Sequence, residues 1–216
     1  MTAAHPLATL ARIWFYPVKS LAPTELTRAH IGPDGLDGDR RGALFVTSEN
    51  HGRSGKTFRG KEHNLLHTLD APADAVALAA ARGVAVRERD GGPHFDAQPV
   101  SLLFDRWLEE LEAIVGMALD PQRFRPNLWA RSDGHAVPRE REMVGALLEV
   151  GGVLLRVVSP ITRCVTPTYD VATGEPAPEI SRAIVREREN LMGVYCTVER
   201  SGELSTGDEI AVASET

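Results

Sequence analysis

Two short β-strands and the loop that follows them are predicted by the segment Leu147-Leu-Glu-Val-Gly-Gly-Val-Leu-Leu-Arg-Val-Val-Ser-Pro-Ile-Thr-Arg-Cys164. Its two aliphatic runs are separated by a Gly-Gly turn, a pattern typical of a buried hairpin. We expect the chain to leave the sheet at Pro160, because the residue before a proline favours an extended conformation. Thr162, Arg163 and Cys164 would then lie on a loop at the strand end, a common position for functional side chains.

The chemistry of this loop centres on Cys164. A neighbouring cation, Arg163, favours the thiolate, which is the form that binds metals or attacks electrophiles. The alternative is a buried cysteine that acts as a small apolar side chain. Cys196 alternates with Tyr195 in an apolar segment near the C-terminus, and we interpret it as a structural core residue.

The composition is that of a soluble protein with one sizeable core or two closely packed ones. Of the 216 residues, 43% are hydrophobic and 25% are charged. No apolar run approaches the ~20 residues of a membrane helix. The N-terminal residues lack the features of a signal peptide, and two cysteines are too few for a disulfide framework. We therefore expect a cytoplasmic protein with both cysteines reduced.

The net charge of −6 argues against a nucleic-acid partner, which would favour a basic surface. An anionic ligand would need a local cluster of basic side chains. Residues 123–129 offer one such cluster. If this segment is extended, Arg123, Arg125 and Asn127 share one face and suit an anionic, hydrogen-bonding ligand, with Arg123 nearer the exposed start. The alternative is an edge strand guarded by charges against aggregation.

The overall pattern predicts a mainly β protein with several α-helices (α+β), namely a β-barrel core packed on a smaller β-rich N-terminal region. We place the two regions at residues 9–95 and 96–213. Ser101 is the expected N-cap of an amphipathic helix that ends near Gly116. Strands are expected at residues 10–20, 26–31, 43–47, 84–87, 193–199 and 210–212, and a further helix at 73–82.

Three ligand motifs are present only in part. A calcium loop beginning at Asp37 has Arg41 where a third ligand is required. Gly55-Lys56-Thr57 ends like a P-loop, but Asn50 replaces the first glycine. His63 and His67 have the spacing of zinc ligands on a helix, yet no third ligand follows nearby. We therefore favour none of these three sites.

Several separated segments, taken in order, resemble a MOSC-domain protein that carries the family's N-terminal β-barrel region. The resemblance covers nearly the whole chain, from about Leu10 to Val212. It departs from the family at residues 56–63, so no role is assigned to Arg59. The segments that carry the resemblance are Tyr16-Pro-Val-Lys-Ser20, Gly35-Leu-Asp-Gly-Asp-Arg40, Arg123-Phe-Arg-Pro-Asn127, Arg163-Cys164, Asp170 with Thr173-Gly174, Gly193-Val-Tyr195 and Gly207-Asp208.

This resemblance implies a molybdenum cofactor, a pterin with a dithiolene and a phosphate, bound between the two regions. It implies that Cys164 is the catalytic residue and the sulfur ligand of molybdenum, and a thiolate suits a metal already held by sulfur. The same resemblance implies that the pterin and phosphate contact Lys19, Ser20, Arg40, Arg125, Asn127, Thr162, Arg163 and Tyr195.

Three functions remain open from the sequence. The first is a molybdenum oxidoreductase, similar to the mitochondrial amidoxime-reducing component, that reduces N-hydroxylated small molecules. The second resembles the C-terminal domain of molybdenum cofactor sulfurases, with a persulfide carried on Cys164. The third is a barrel that binds the cofactor without catalysis. The sequence contains no flavin, haem or iron–sulfur motif, so a reductase would need an external electron-transfer protein.

Overall fold

The computed structural model describes residues 5–49 and 51–213. Asn50 and the extreme N-terminal residues, which entered the arguments against a P-loop and a signal peptide, lie outside the described residues. None of the helices in the described ranges has the length and hydropathy needed to cross a bilayer. The α-helices are α1 (Pro72–Ala80), α2 (Asp105–Val115) and α3 (Pro178–Glu187), and short 3₁₀ helices cover Leu66–Thr68, Pro121–Phe124 and Thr166–Thr168.

Thirteen strands form the rest of the regular structure in the described part of the chain. They are β1 (His5–Phe15), β2 (Thr24–Leu26), β3 (Arg28–Gly32), β4 (Gly35–Leu36), β5 (Ala43–Val46), β6 (Val86–Arg89), β7 (Val100–Phe104), β8 (Leu128–Arg131), β9 (Leu147–Val150), β10 (Val153–Thr162), β11 (Leu191–Arg200), β12 (Gly202–Ser205) and β13 (Glu209–Val212). The expected mainly β architecture with several helices is confirmed.

Seven of these strands close into a barrel. Their order is β1-β8-β7-β11-β10-β9-β13, and β13 pairs back onto β1. All neighbours are antiparallel except β7 and β8, which are parallel and are connected through α2. The hairpin at Gly151-Gly152 joins β9 to β10 as the sequence predicts. Closure satisfies the backbone hydrogen bonds that open sheet edges would expose.

The buried apolar residues form two clusters. The larger fills the barrel and includes the fully buried Trp14, Trp107 and Phe124. The smaller lies in the N-terminal part and is formed by Val18, Leu21, Leu44, Val46, Phe58, Leu66, Ala75 and Ala79. The expected boundary between residues 95 and 96 stays a prediction; strand β1, from the first part of the chain, is one wall of the barrel.

The helix predicted to start at Ser101 begins instead at Asp105, with Phe104 in the N-cap position. Ser101 lies in β7, whose five residues are all buried. A strand buried on both faces is apolar without alternation, so its sequence merges with the apolar pattern of the following helix. Gly116 ends the helix in the left-handed conformation, as the sequence predicts.

The extended conformation considered for residues 123–129 is found only at its end, where Leu128 and Trp129 begin β8. Pro121–Phe124 form a 3₁₀ helix, and the side chain of Asp120 accepts a hydrogen bond from the backbone N–H of Gln122 at 2.8 Å. Arg125 then turns the chain in the left-handed conformation, with φ 50°. Arg123, Arg125 and Asn127 therefore do not share a strand face, because a local cap and a turn precede β8.

Strand β10 extends two residues beyond the point at which the chain was expected to leave the sheet. Pro160 lies opposite Val194 of β11, and the register shifts on both sides of it. A proline is compatible with a sheet at such irregular positions, because its missing N–H breaks no regular ladder bond. Cys164 still follows the strand end, as expected.

Candidate functional site

A cavity of about 450 Å³ opens at one end of the barrel, where β1 and β10 end and where β7 and β8 begin. This volume lies within the usual range for small-molecule sites. The structure brings together around it all nine residues singled out from the sequence, although their roles stay predictions. These nine are Lys19, Ser20, Arg40, Arg125, Asn127, Thr162, Arg163, Cys164 and Tyr195.

The charged lining of this cavity is strongly basic. One carboxylate, Asp96, faces seven basic side chains, which are Lys19, Arg40, Arg59, Lys61, Arg123, Arg125 and Arg163. The chain as a whole carries a net charge of −6. Because the cations gather on a concave surface, the cavity concentrates positive potential and favours an anionic ligand.

Two of the arginines are positioned by one aromatic ring. The guanidinium carbons of Arg40 and Arg125 lie 4.5 and 4.4 Å from the ring centroid of Tyr16, which is fully buried. The Tyr16 hydroxyl donates to the carbonyl of Pro126 at 3.1 Å, and burial raises the pKa of this hydroxyl to about 12. The ring thus stays neutral at physiological pH and offers its π-face to the cations.

Asn127 is a buried junction whose amide is used within the protein. Its Nδ2 donates to the carbonyl of Trp14 at 3.3 Å and to the carboxylate of Asp39 at 3.2 Å. Its Oδ1 accepts hydrogen bonds from Arg40 and from the backbone N–H and hydroxyl of Ser101. Both N–H donors of the amide are satisfied, which holds the side chain in one orientation. The Oδ1 of Asn127 can therefore orient Arg40 at the cavity wall.

Arg163 is held by backbone carbonyls next to the thiol. Its guanidinium donates to the carbonyl of Phe124 at 2.8 Å and, through Nε, to that of Met192 at 2.7 Å. Burial lowers its pKa to about 10, which leaves the group charged at neutral pH. Gly193 has φ 86°, and a Cβ there would approach Arg163 to 3.1 Å, so this glycine leaves room for the guanidinium.

Cys164 is exposed, in contrast to Cys196, which is fully buried. The Sγ of Cys164 is hydrogen-bonded to the Oγ1 of Thr166 at 3.2 Å. The interpretation of Cys196 as a core residue is confirmed, and burial raises the pKa of its thiol to about 12. Of the two thiols, only that of Cys164 is therefore accessible from the cavity.

Lys19 and Ser20 follow β1 at the mouth of the cavity. The Nζ of Lys19 lies 2.5 Å from a carboxylate oxygen of Asp96. Burial would raise the pKa of Asp96, but the cations, Lys19 first, hold it below its ordinary value. Ser20 has φ 74° and, with Arg40 and Arg125, belongs to a small set of non-glycine residues in the left-handed conformation. Such conformations, which cost roughly 1 kcal/mol or more each, concentrate at functional sites.

A comparison with known protein families matches residues 87–211 to the MOSC domain. The chain belongs to the MOSC domain family. A comparison with curated proteins gave no match.

Solved structures show the same fold at low sequence identity. The YuaD protein of Bacillus subtilis is 18% identical with a TM-score of 0.61, and the similarity covers 97% of both chains. A crystal structure described as a hypothetical protein is 12% identical with a TM-score of 0.50, covering 97% of this chain and 70% of the other.

Within this MOSC fold, the cavity is also lined by residues that were not among the nine candidates. Arg123, expected near an exposed start, is 7% exposed and pairs with Asp170 at 2.7 Å, 47 residues along the chain. His67 is buried, and its Nε2 lies 2.8 Å from the carbonyl of Asp170. Arg59, left without a role, lines the cavity. For Arg59, the only signal in the sequence was the basic character of residues 53–61.

Proposed function

We propose that this MOSC protein binds the molybdenum cofactor and reduces N-hydroxylated or otherwise N-oxygenated small molecules with electrons from an external carrier. The observation that carries the proposal is the juxtaposition of the exposed Cys164 with a cavity lined by seven cations and one carboxylate. Family membership supports it, because MOSC domains are associated with molybdenum-cofactor enzymes.

The donor set fits such a cofactor. A thiolate at the cavity wall suits a metal that is already bound by soft sulfur ligands. The basic residues suit the phosphate, and the carboxylate of Asp96 already lies against Lys19 with Arg40 and Arg125 near enough to lower its pKa. The ion pair of this exposed carboxylate with Lys19 indicates that the mouth of the cavity favours negative charge.

Distinct roles follow for the residues of this chain. Cys164 would provide the protein ligand of the metal, and Lys19, Arg40 and Arg125 would bind the phosphate. Arg163 is charged and is held in place by two backbone carbonyls, so it would contact the cofactor in the position that it already occupies. Preorganised cations of this kind bind an anion without the cost of reorganising side chains. Thr162, Ser20 and Tyr195 would add hydrogen-bonding groups.

The proposed reaction cleaves one N–O bond. An N-hydroxylated substrate takes up two electrons and two protons and yields the N–H compound and one water molecule. When bound, the cofactor supplies this two-electron chemistry. The electrons would come from a separate carrier protein, whose identity the sequence does not reveal.

Sulfur transfer is the second candidate, and the exposure of Cys164 favours it. A carrier requires a thiolate that a partner can reach and that accepts sulfur as a persulfide. The loop is nevertheless restrained, because Arg163 N–H donates to the carbonyl of Asn190 and Pro167 lies in a 3₁₀ helix. Restraint on both sides of the thiol suits a fixed ligand better than a mobile carrier.

One experiment separates the two candidates. Cofactor-loaded protein receives an artificial low-potential electron donor and a benzamidoxime, while a parallel sample is incubated with a cysteine desulfurase and its mass is measured. We expect donor oxidation that depends on substrate, that is lost in Cys164→Ser and that persists in Cys196→Ala. A stable persulfide on Cys164 without turnover would reject the reductase and establish sulfur transfer.

A further inference from the structure

The loop that contributes Arg59 and Lys61 to the cavity carries an excess of positive charge. Residues 53–62 include four basic side chains, Arg53, Lys56, Arg59 and Lys61, and one acidic side chain, Glu62. This gives the segment a net charge of +3 in a chain of net charge −6. Arg59, Gly60 and Lys61 line the cavity, whereas Arg53 and Lys56 do not.

One residue, Thr166, lies between this loop and the sulfur of Cys164. A Cβ built on Gly60 would lie 3.5 Å from the Cγ2 of Thr166 and 3.6 Å from its Oγ1. The same Oγ1 is hydrogen-bonded to the Sγ of Cys164 at 3.2 Å. Gly60 is thus separated from the thiol by a single threonine, and Arg59 and Lys61 flank Gly60 in the chain.

The two flanking cations differ in how far their charge is already balanced. Glu62 accepts from the Nη2 of Arg59 at 3.1 Å and from its backbone N–H at 2.7 Å, and it also pairs with Arg53 at 3.3 Å. Arg59 is therefore oriented by a shared carboxylate. Lys61 is exposed, and among the described residues it forms no salt bridge. Lys61 thus contributes the larger uncompensated charge.

Other cations of the cavity already have partners within the protein. Arg40 and Arg125 both lie against the Tyr16 ring, Lys19 pairs with Asp96, and Arg163 donates to the carbonyls of Phe124 and Met192. Arg59 and Lys61 instead flank Gly60, which lies against Thr166, the hydrogen-bond partner of Cys164.

We propose that Arg59 and Lys61 form a subsite for a carboxylate or phosphate group of the substrate, so that the protein acts on anionic N-oxygenated compounds. This inference rests on the proposed function for the reaction, but the subsite itself depends only on the charges beside Cys164. A charge-assisted hydrogen bond from Lys61 would orient the substrate anion next to the sulfur.

The first test requires neither cofactor nor turnover. Alkylation of Cys164 is measured by mass spectrometry with anionic iodoacetate and with neutral iodoacetamide, and the buried Cys196 serves as the unreactive internal reference. A unit charge about 10 Å away changes the local concentration of a monovalent anion roughly twofold in water. We expect Lys61→Ala and Arg59→Gln to lower the iodoacetate-to-iodoacetamide rate ratio about twofold or more.

A matched variant comes from the same loop. Lys56→Ala removes an equal charge from an exposed position that does not line the cavity, and it should leave the rate ratio unchanged within experimental error. Equal effects at the lining and non-lining positions would overturn the subsite, because they would reflect only the general charge of the loop. High salt should reduce the difference in the rate ratio between wild type and Lys61→Ala, because it screens the charge.

The second test uses the loaded enzyme and two substrates of similar shape, 4-carboxybenzamidoxime and its neutral amide analogue, 4-carbamoylbenzamidoxime. We expect Lys61→Ala to lower kcat/KM for the carboxylate about tenfold and to leave the amide unchanged, as for loss of a charge-assisted hydrogen bond. A third substrate with a phosphonate in place of the carboxylate shows, by its kcat/KM, whether the subsite prefers a phosphate-like group or a carboxylate. Equal loss for both charged and neutral substrates would overturn the inference. Loss of the alkylation ratio without reduction of either amidoxime would reject the reductase while the anion subsite remains.

Discussion

Replacement of Tyr16 by leucine should weaken both the fold and the anion site, because one ring supports two guanidinium groups. The ring centroid lies 4.5 Å from Arg40 and 4.4 Å from Arg125. Each cation–π contact in a desolvated setting contributes about 1–2 kcal/mol, and the hydroxyl bond to Pro126 about 1 kcal/mol. We therefore expect Tyr16→Leu to lower the free energy of unfolding by about 3–5 kcal/mol.

Tyr16→Phe is the matched control, because it keeps the ring and removes only the hydroxyl bond to Pro126, which measures 3.1 Å. It should cost about 1 kcal/mol. Urea unfolding, followed by the fluorescence of the buried tryptophans, measures both changes. Molybdenum content after reconstitution should fall about tenfold in Tyr16→Leu and stay near wild type in Tyr16→Phe. Equal stability losses in the two variants, or full cofactor content in Tyr16→Leu, would refute the role assigned to the ring.

Three further predictions follow from the same site. Burial raises the pKa of Tyr16 to about 12, so the folded state keeps a proton that the unfolded state releases near pH 10. This difference contributes roughly 2–3 kcal/mol to the free energy of unfolding below pH 10, and the contribution should be lost between about pH 10 and 12. In urea titrations, Tyr16→Phe should lose less stability than wild type over this pH range. Asp96→Asn should free Lys19 and raise the affinity for inorganic phosphate several-fold in calorimetry at low salt, and an unchanged affinity would contradict this view of Asp96. Asn127→Ala should lower the free energy of unfolding by about 3 kcal/mol or more, because Arg40, Asp39 and Ser101 lose a buried partner; a loss below about 1 kcal/mol would exclude the junction.

The sequence was sufficient where local rules decide the structure. Glycine pairs and aliphatic runs specify the β9–β10 hairpin, and the apolar stripe ending at Gly116 specifies the body of α2. The gathering of nine candidate residues around one cavity agrees with the resemblance to the MOSC family, which had implied that they share one site. Local rules failed at Ser101 and at Pro121–Phe124, where a buried strand and a capped turn have no distinctive period.

The tertiary structure alone decided how each of these side chains is used. Tyr16 meets Arg40 and Arg125 only because three distant segments converge at one end of the barrel. In the same way, Arg123 forms a salt bridge with Asp170. The amide N–H groups of Asn127 donate to Trp14 and Asp39 and are not free to bind a ligand. Patterns of residue type carry information about neighbours three or four positions apart. Hydrogen bonds and cation–π contacts depend on distances of a few ångströms between residues far apart in the chain, and only the closed barrel sets those distances.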